Sequence, residues 1–367
     1  MDLTLRDQTP TRIIPPPCSS TGRWVTSVVR IAVDAMGGDH APHVNVDAAI
    51  AASREFGIPT LLVGSSGQLE KLLAESGYRG SDIEITEAPE VVTMDDPATA
   101  AVRKKRNSSI RIAANCVRDG RAAGLVSAGH TGAAMVCAKM VIGTIEGVDR
   151  PALAAILPNL SGHCLLLDVG ANPDAKTEHF KEFAVMGSIY AQLAFGKPSP
   201  SIGLMSIGEE DTKGTDRTKE AFKVVKEAGL NFIGNVEGRD VFDGKVDVIV
   251  TDGFTGNVIL KVSEALGEMV EKLLREEIKR TLQASVGFLL SRSAFRSFKQ
   301  RLDYSEYGGA PMLGVKGCVI ICHGRSSAKA IKNAIRFAAE FSRQGLAEKI
   351  QSSIAELHSR EATVVKA

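Results

Sequence analysis

The sequence predicts an α/β fold built on a mostly parallel sheet with helices covering both faces. Three observations carry that expectation. From Val29 onward, short apolar runs alternate with helical patterns, the signature of βαβ units. Most of these runs end in a glycine-rich polar turn, at the edge where open α/β sheets collect their ligands. With 35 glycines and only 5% aromatic residues, the composition suits glycine turns at strand ends rather than an aromatic-rich β-sandwich.

The expected strands are, in order, Arg30–Asp34, Thr60–Val63, Ile83–Thr86, Gly124–Ser127, Ala152–Leu157, Cys164–Asp168, Ile202–Ser206, Phe232–Gly234, Asp247–Thr251 and Val319–Cys322. Amphipathic segments lie between them, among them Gly67–Glu75, Lys176–Phe195, Asp216–Ala228 and Ser327–Gln344. One region breaks the alternation: residues 255–302 read as helical throughout, longer than a crossover needs. Its middle, SVGFLLSRSAFRSFKQR, places Phe288, Phe295 and Phe298 near one helical face, with Leu290 and Ala294 close by. Arg292, Arg296 and Lys299 fall on another face, and between Ile278 and Leu302 there are six basic residues and no acid. Such a helix lies on an anionic membrane, meets an acidic protein, or serves as a subunit-interface or core helix with a solvated basic face.

Residues 29–357 form one α/β/α domain on this reading, with 358–367 as a flexible tail. Residues 1–28 are polar and proline-rich, lack the apolar stretch of a secretion signal, and read as a disordered extension or as a start site placed too far upstream. Lys and Arg number 44 against 43 Asp and Glu, so nothing global points to nucleic acid. The six cysteines contain no CxxC pair and fit a reduced, cytoplasmic protein. No apolar run approaches the ~20 residues that span a bilayer.

The chemistry lies in the strand exits. They read Asp34-Ala-Met-Gly37-Gly38-Asp39, Ser127-Ala-Gly129-His130-Thr131-Gly132, Asp168-Val-Gly170-Ala-Asn172, Gly208 to Thr215, and Thr251-Asp252-Gly253-Phe254-Thr255-Gly256-Asn257. Five such exits, most leading into a helix, point to one convergent anion site, because a helix N-terminus offers free N–H groups and a positive dipole end. GEEDTKGT (208–215) has the strand, glycine turn and helix start of a nucleotide loop, but Lys213 precedes Gly214, and Glu209, Glu210 and Asp211 oppose a triphosphate tail. A single small phosphate held by Lys213 fits better, with Thr215 capping the next helix. Asn257 offers an amide suited to a tetrahedral oxyanion, while Gly256 lets the backbone approach a ligand and Asp252 ends the preceding strand. No GxSxG elbow, GxGxxG, HExxH or Cys/His cluster occurs; a serine-hydrolase triad, a nicotinamide cofactor and a metal site are not expected.

IAVDAMGGDHAP (31–42), RKKRNSSI (103–110), SAGHTGA (127–133), DRPALA (149–154), LLLDVGAN (165–172), IGEEDTKGT (207–215), NFIGNVEGRD (231–240), VTDGFTGNVILK (250–261) and YGGAPMLGVKG (307–317) occur in this order. Together they resemble the bacterial phosphate acyltransferases of phospholipid synthesis, the PlsX family, over roughly residues 30 to 350. The resemblance implies a three-layer α/β/α sandwich related to phosphotransacetylases and the isocitrate-dehydrogenase group, in a homodimer. It implies transfer of a fatty acyl group from acyl carrier protein (ACP) to inorganic phosphate without a cofactor, feeding a membrane glycerol-3-phosphate acyltransferase. It also implies roles in phosphate handling and catalysis for Lys213 and Asn257, and membrane contact near Phe288-Leu289-Leu290. Gly37, Gly38, Gly129, Thr131 and Asn172 are expected to line the pocket. One departure stands out: the familiar SAGNTGA has His130 in place of its asparagine.

Overall fold

The structure, a computed structural model, describes residues 29–302, 306 and 308–364. The expected leader, residues 1–28, lies outside these. Eleven strands form one sheet: β1 (Ile31–Asp34), β2 (Thr60–Gly64), β3 (Ile83–Glu87), β4 (Gly124–Ser127), β5 (Ala152–Asn159), β6 (Gly162–Leu167), β7 (Ile202–Met205), β8 (Phe232–Val236), β9 (Val248–Val250), β10 (Ala310–Leu313) and β11 (Cys318–Ile321). The order across the sheet is β3-β2-β1-β4-β11-β10-β5-β6-β9-β7-β8.

Ten of the eleven strands match expected runs, with ends shifted by a residue or two. β10 is the exception. Its segment contains Pro311 and follows Gly308-Gly309, a composition that reads as a turn, yet it sits mid-sheet between β11 and β5. It is antiparallel to both, and β5 is antiparallel to β6. Three reversals in succession divide the sheet into two parallel blocks of opposite direction. β3, β2, β1, β4 and β11 run one way; β6, β9, β7 and β8 run the other.

The helices are α1 (His43–Phe56), α2 (Ser66–Glu75), α3 (Ala98–Lys104), α4 (Ser109–Arg118), α5 (Thr131–Cys137, continued by a π turn to Ile142), α6 (Thr177–Phe195), α7 (Asp216–Lys226), α8 (Asp240–Asp243), α9 (Gly253–Arg280), α10 (Leu282–Leu290), α11 (Arg292–Leu302), α12 (Ala328–Arg343) and α13 (Leu346–Val364). Alternate strand residues face different layers. Ile31 and Val33 belong to one core layer, with Val46 of α1, Phe183 of α6 and Phe337 of α12, whereas Ala32 belongs to the other, with Ile110 and Ala113 of α4 and Ala134 of α5. With both faces covered, the strands are continuous apolar runs rather than alternating ones. Left-handed glycines stop α1 at Gly57 and α6 at Gly196, where φ is 61° and 65°.

Residues 255–302 are helical as expected, divided into α9, α10 and α11: Thr281 adopts an extended conformation and caps α10 by accepting the Ala284 N–H on its hydroxyl, and Ser291 ends α10. One expectation about helices is corrected. At the C-terminus α13 runs on to Val364, so residues 358–364 are helical rather than a tail.

Candidate active site

β6, β9 and β7 are neighbours pointing the same way, with Leu167 beside Val250 and Val250 beside Leu204. Their exits, DVGAN, TDGFTGN and the loop 207–215, therefore leave the sheet side by side. Asn257 and Lys213 lie on two of them.

The first exit is organised by Asp168, which is fully buried. Its Oδ1 accepts the backbone N–H groups of Leu153 (2.9 Å), Gly170 (3.2 Å) and Ala171 (3.1 Å). Its Oδ2 accepts the backbone N–H of Asn172 at 2.6 Å and the Asn172 side-chain amide at 3.0 Å. Burial raises the Asp168 carboxyl above the ordinary carboxylate range, and these N–H bonds oppose the rise. Asn172, expected to line a pocket, is buried and donates its remaining amide hydrogen to the Pro151 carbonyl at 2.9 Å.

The start of α9 rests on this knot. Gly253 donates its N–H to the Asn172 carbonyl at 2.9 Å, and a Cβ there would stand 2.9 Å from the Asn172 backbone and from Asp168 Oδ2. A Cβ on Gly256 would overlap the Asp168 carbonyl oxygen. Asp252 is the N-cap, accepting the Thr255 N–H at 2.8 Å and the Thr255 hydroxyl at 2.9 Å. Asn257 follows on the exposed side of the first turns. The glycines of DGFTGN thus serve helix packing, and the asparagine faces outward.

In the loop after β7, Lys213 is exposed and its ammonium has no ion pair among the described residues. Glu209 is held outward by Arg239 at 2.7 Å, and the Asn235 amide fastens the loop through the Glu210 carbonyl at 2.8 Å. Gly214 has a φ of 95° and packs beside Ser206, whose buried hydroxyl has no hydrogen-bond partner among the described residues. Thr215 caps α7 by accepting the Thr218 N–H at 3.2 Å, as the sequence indicated.

The remaining exits form a second group on the other block. Asp34 is buried, and its Oδ2 accepts the Ser127 hydroxyl at 2.7 Å. Burial raises its carboxyl, against hydrogen bonds from Ser109 and Ser127. A Cβ on Gly37 would stand 2.8 Å from the Gly129 nitrogen, so these two glycines let the β1 and β4 turns press together. Gly38 packs against the carbonyls of Ala128 and Gly324. His130 is the N-cap of α5, its Nδ1 accepting the Ala133 N–H at 3.2 Å, and Thr131 and Gly132 open that helix. From β4 to β6 is four strand spacings, about 19 Å at roughly 4.8 Å each. The five exits thus form two groups, at ends of the sheet set by opposite strand directions.

Sequence reasoning missed two contributors. Asp168 reads as the end of an apolar strand, and nothing in its spacing marks it as the acceptor of five N–H groups. The β11 exit joins the second group through Gly324, whose carbonyl accepts the Asp39 N–H at 2.9 Å; its polar run His323 to Ser327 was the available signal. The thiols are core groups: burial pushes Cys137, Cys318 and Cys322 up to about 12. Of the basic helical region, the Phe288 and Phe295 rings meet across the α10–α11 turn with centroids 4.9 Å apart, while Leu289, Leu290, Arg292, Arg296 and Phe298 are exposed. The side chain of Lys299 lies outside the described ones. No described helix is long and apolar enough to cross a membrane.

The fold is shared with solved acyl-transfer enzymes. A phosphotransacetylase from Streptococcus pyogenes superposes with a TM-score of 0.60 at 18% identity, covering 86% of this chain and 94% of that one. The EutD phosphotransacetylase from Staphylococcus aureus gives 0.58 at 18% identity over the same shares. In sequence, the phosphate acyltransferase of Geotalea uraniireducens is 52% identical over 329 residues, 89% of this chain and 95% of that protein. That of Geobacter sulfurreducens is 51% identical over 328 residues, 88% and 95%. The profile of the family described as "Fatty acid synthesis protein" matches residues 29–349, bearing out the resemblance carried by the ordered motifs, and the chain belongs to that family.

Proposed function

We propose that the protein is a phosphate acyltransferase that moves a fatty acyl group from acyl carrier protein to inorganic phosphate, with Lys213 holding phosphate and Asn257 stabilising the oxyanion. The observation that carries this reading is the adjacency of β7 and β9, which sends both residues off one edge of the sheet. The name shared by relatives at about half identity supports the acyl transfer and the phosphate acceptor.

A phosphate oxygen attacks the thioester carbonyl carbon, the carbonyl becomes an oxyanion, and the carbon–sulfur bond breaks. The sulfur leaves with the electron pair and is protonated by the proton that phosphate gives up, so acyl phosphate and free carrier thiol are formed. A thioester is already activated and phosphate is an adequate nucleophile. Positioning and charge therefore suffice, and no nucleophilic side chain is needed. The exposed Lys213 ammonium offsets the phosphate charge; the Asn257 amide donates to the oxyanion. The product would feed a membrane glycerol-3-phosphate acyltransferase.

The same reading has the protein act as a homodimer that touches the cytoplasmic membrane surface. Exposed apolar residues along α9 and the exposed Leu289 and Leu290 of α10, beside Arg292 and Arg296, support those two contacts.

The test is acyl phosphate formation by purified protein with phosphate and either acyl-ACP or acyl-CoA. Lys213→Ala and Asn257→Ala are each expected to lose about 10²–10³ in kcat. Folded variants with full activity would sink the assignment, and turnover with acyl-CoA alone would reassign the donor.

A further inference from the structure

We propose that Asp168 is a positioning residue for Asn257, setting the place of the first turns of α9 relative to the acceptor site; the proposal rests on the catalytic reading of Asn257. Asp168 touches neither substrate on that reading. It acts through contacts on both sides of its own backbone.

On one side its carboxylate collects five N–H groups, from Leu153 at the start of β5 and from Gly170, Ala171 and Asn172 of its own loop. That fixes the loop in a single shape. On the other side the helix has no clearance. Gly253 is hydrogen-bonded to the loop through the Asn172 carbonyl, and Gly256 lies on the Asp168 carbonyl with no space for a methyl group between them. Asn257 is the next residue. A shift of the loop therefore becomes a shift of the Asn257 amide, and a misplacement near 1 Å costs about 10²-fold in rate when a reacting group must be oriented.

The carboxylate cannot be replaced by its own shape. Both oxygens face donors only, three N–H groups on Oδ1 and two on Oδ2. Whichever way an amide is turned, its NH₂ meets N–H groups and the loop must open.

The experiment is a double-mutant cycle on kcat and on KM for phosphate, using the full chain with Asp168→Asn, Asn257→Ala and both together. Asp168→Asn is expected to lower kcat by about 10²-fold with KM for phosphate changed by less than about threefold, and to add less than about threefold to the loss in Asn257→Ala. A purely structural role would multiply the two losses, and that result, or full activity of Asp168→Asn, overturns the proposal. If Asp168→Asn does not fold, Gly253→Ala disturbs the same contact from the helix side. The same loss and non-additivity are expected there, and wild-type kcat in folded Gly253→Ala would overturn the proposal. Full activity of Asn257→Ala removes the catalytic reading and this proposal with it. An impaired Asn257→Ala with multiplicative losses removes the positioning role alone.

Discussion

At the scale of single residues, His130 shows how a departure from a motif keeps its physics. Its Nδ1 accepts the Ala133 N–H, so a neutral ring carries its proton on Nε2. An asparagine would accept the same bond through its amide oxygen and also keep N–H outward. His130→Asn is therefore expected to leave stability within a few tenths of a kcal/mol, while His130→Ala loses the cap and about 1 kcal/mol, read by urea denaturation. How much of the site was legible also turns on such residues. Thr215 as a helix cap could be read from a hydroxyl before a helical run. Gly37 and Gly129 could be read as functional glycines, but not as partners: their reason is a backbone contact between residues 92 positions apart, arising only when β1 and β4 pair. Asp168 was hidden for a different cause: four of its donors lie two to four residues ahead in its own loop, but they are mostly backbone N–H groups, which residue types do not mark, and the fifth, Leu153, arrives only when β5 and β6 pair.

At the scale of elements, α9 carries an unmet requirement. Phe254, Val258, Val262, Leu266, Met269 and Leu273 recur every three or four residues along one side of the helix, and each is 48% exposed or more. A stripe of that length is costly in water and suits a second copy of the chain. If the proposed homodimer closes over this stripe, Val262→Asp/Leu266→Asp lowers the mass read by light scattering; a mass equal to that of the unaltered protein would count against α9 as the interface. The periodicity of this helix was readable, but its end was not. Thr281 is a poor helix former only in a weak statistical sense, and what stops α9 is that Thr281 turns extended and caps α10. β10 was missed because a proline is normally kept out of mid-sheet positions.

At the scale of the whole molecule, alternation of runs and helices predicted the layers, and burial of every residue of β1, β2, β4, β9 and β11 accords with a sheet covered on both faces. Strand direction was not readable. Apolar runs look alike whichever way they pair, so the reversal at β10, β5 and β6 comes from topology. The hairpin of β5 and β6 also carries a global titration. Burial lowers His163, near its tip, to about 4. The folded state therefore prefers the neutral ring: stability is full above the unfolded value of about 6.5 and is lost as pH falls from there toward 4. Wild-type protein is expected to lose on the order of 2 kcal/mol across that window relative to His163→Phe, measured as urea midpoints at each pH. Parallel pH profiles would refute it.

The placing of β10 and β11 has a consequence for how the chain is made. These two strands, from residues 310 to 321, sit between β4 and β5 and join the two parallel blocks. A ribosome exposes β1 to β4 and then β5 to β9 well before either joining strand, so each block waits with an open inner edge. A nascent chain arrested before residue 310 should therefore be the species that chaperones retain and that aggregates first, while the blocks close within one cooperative step once residue 321 is free.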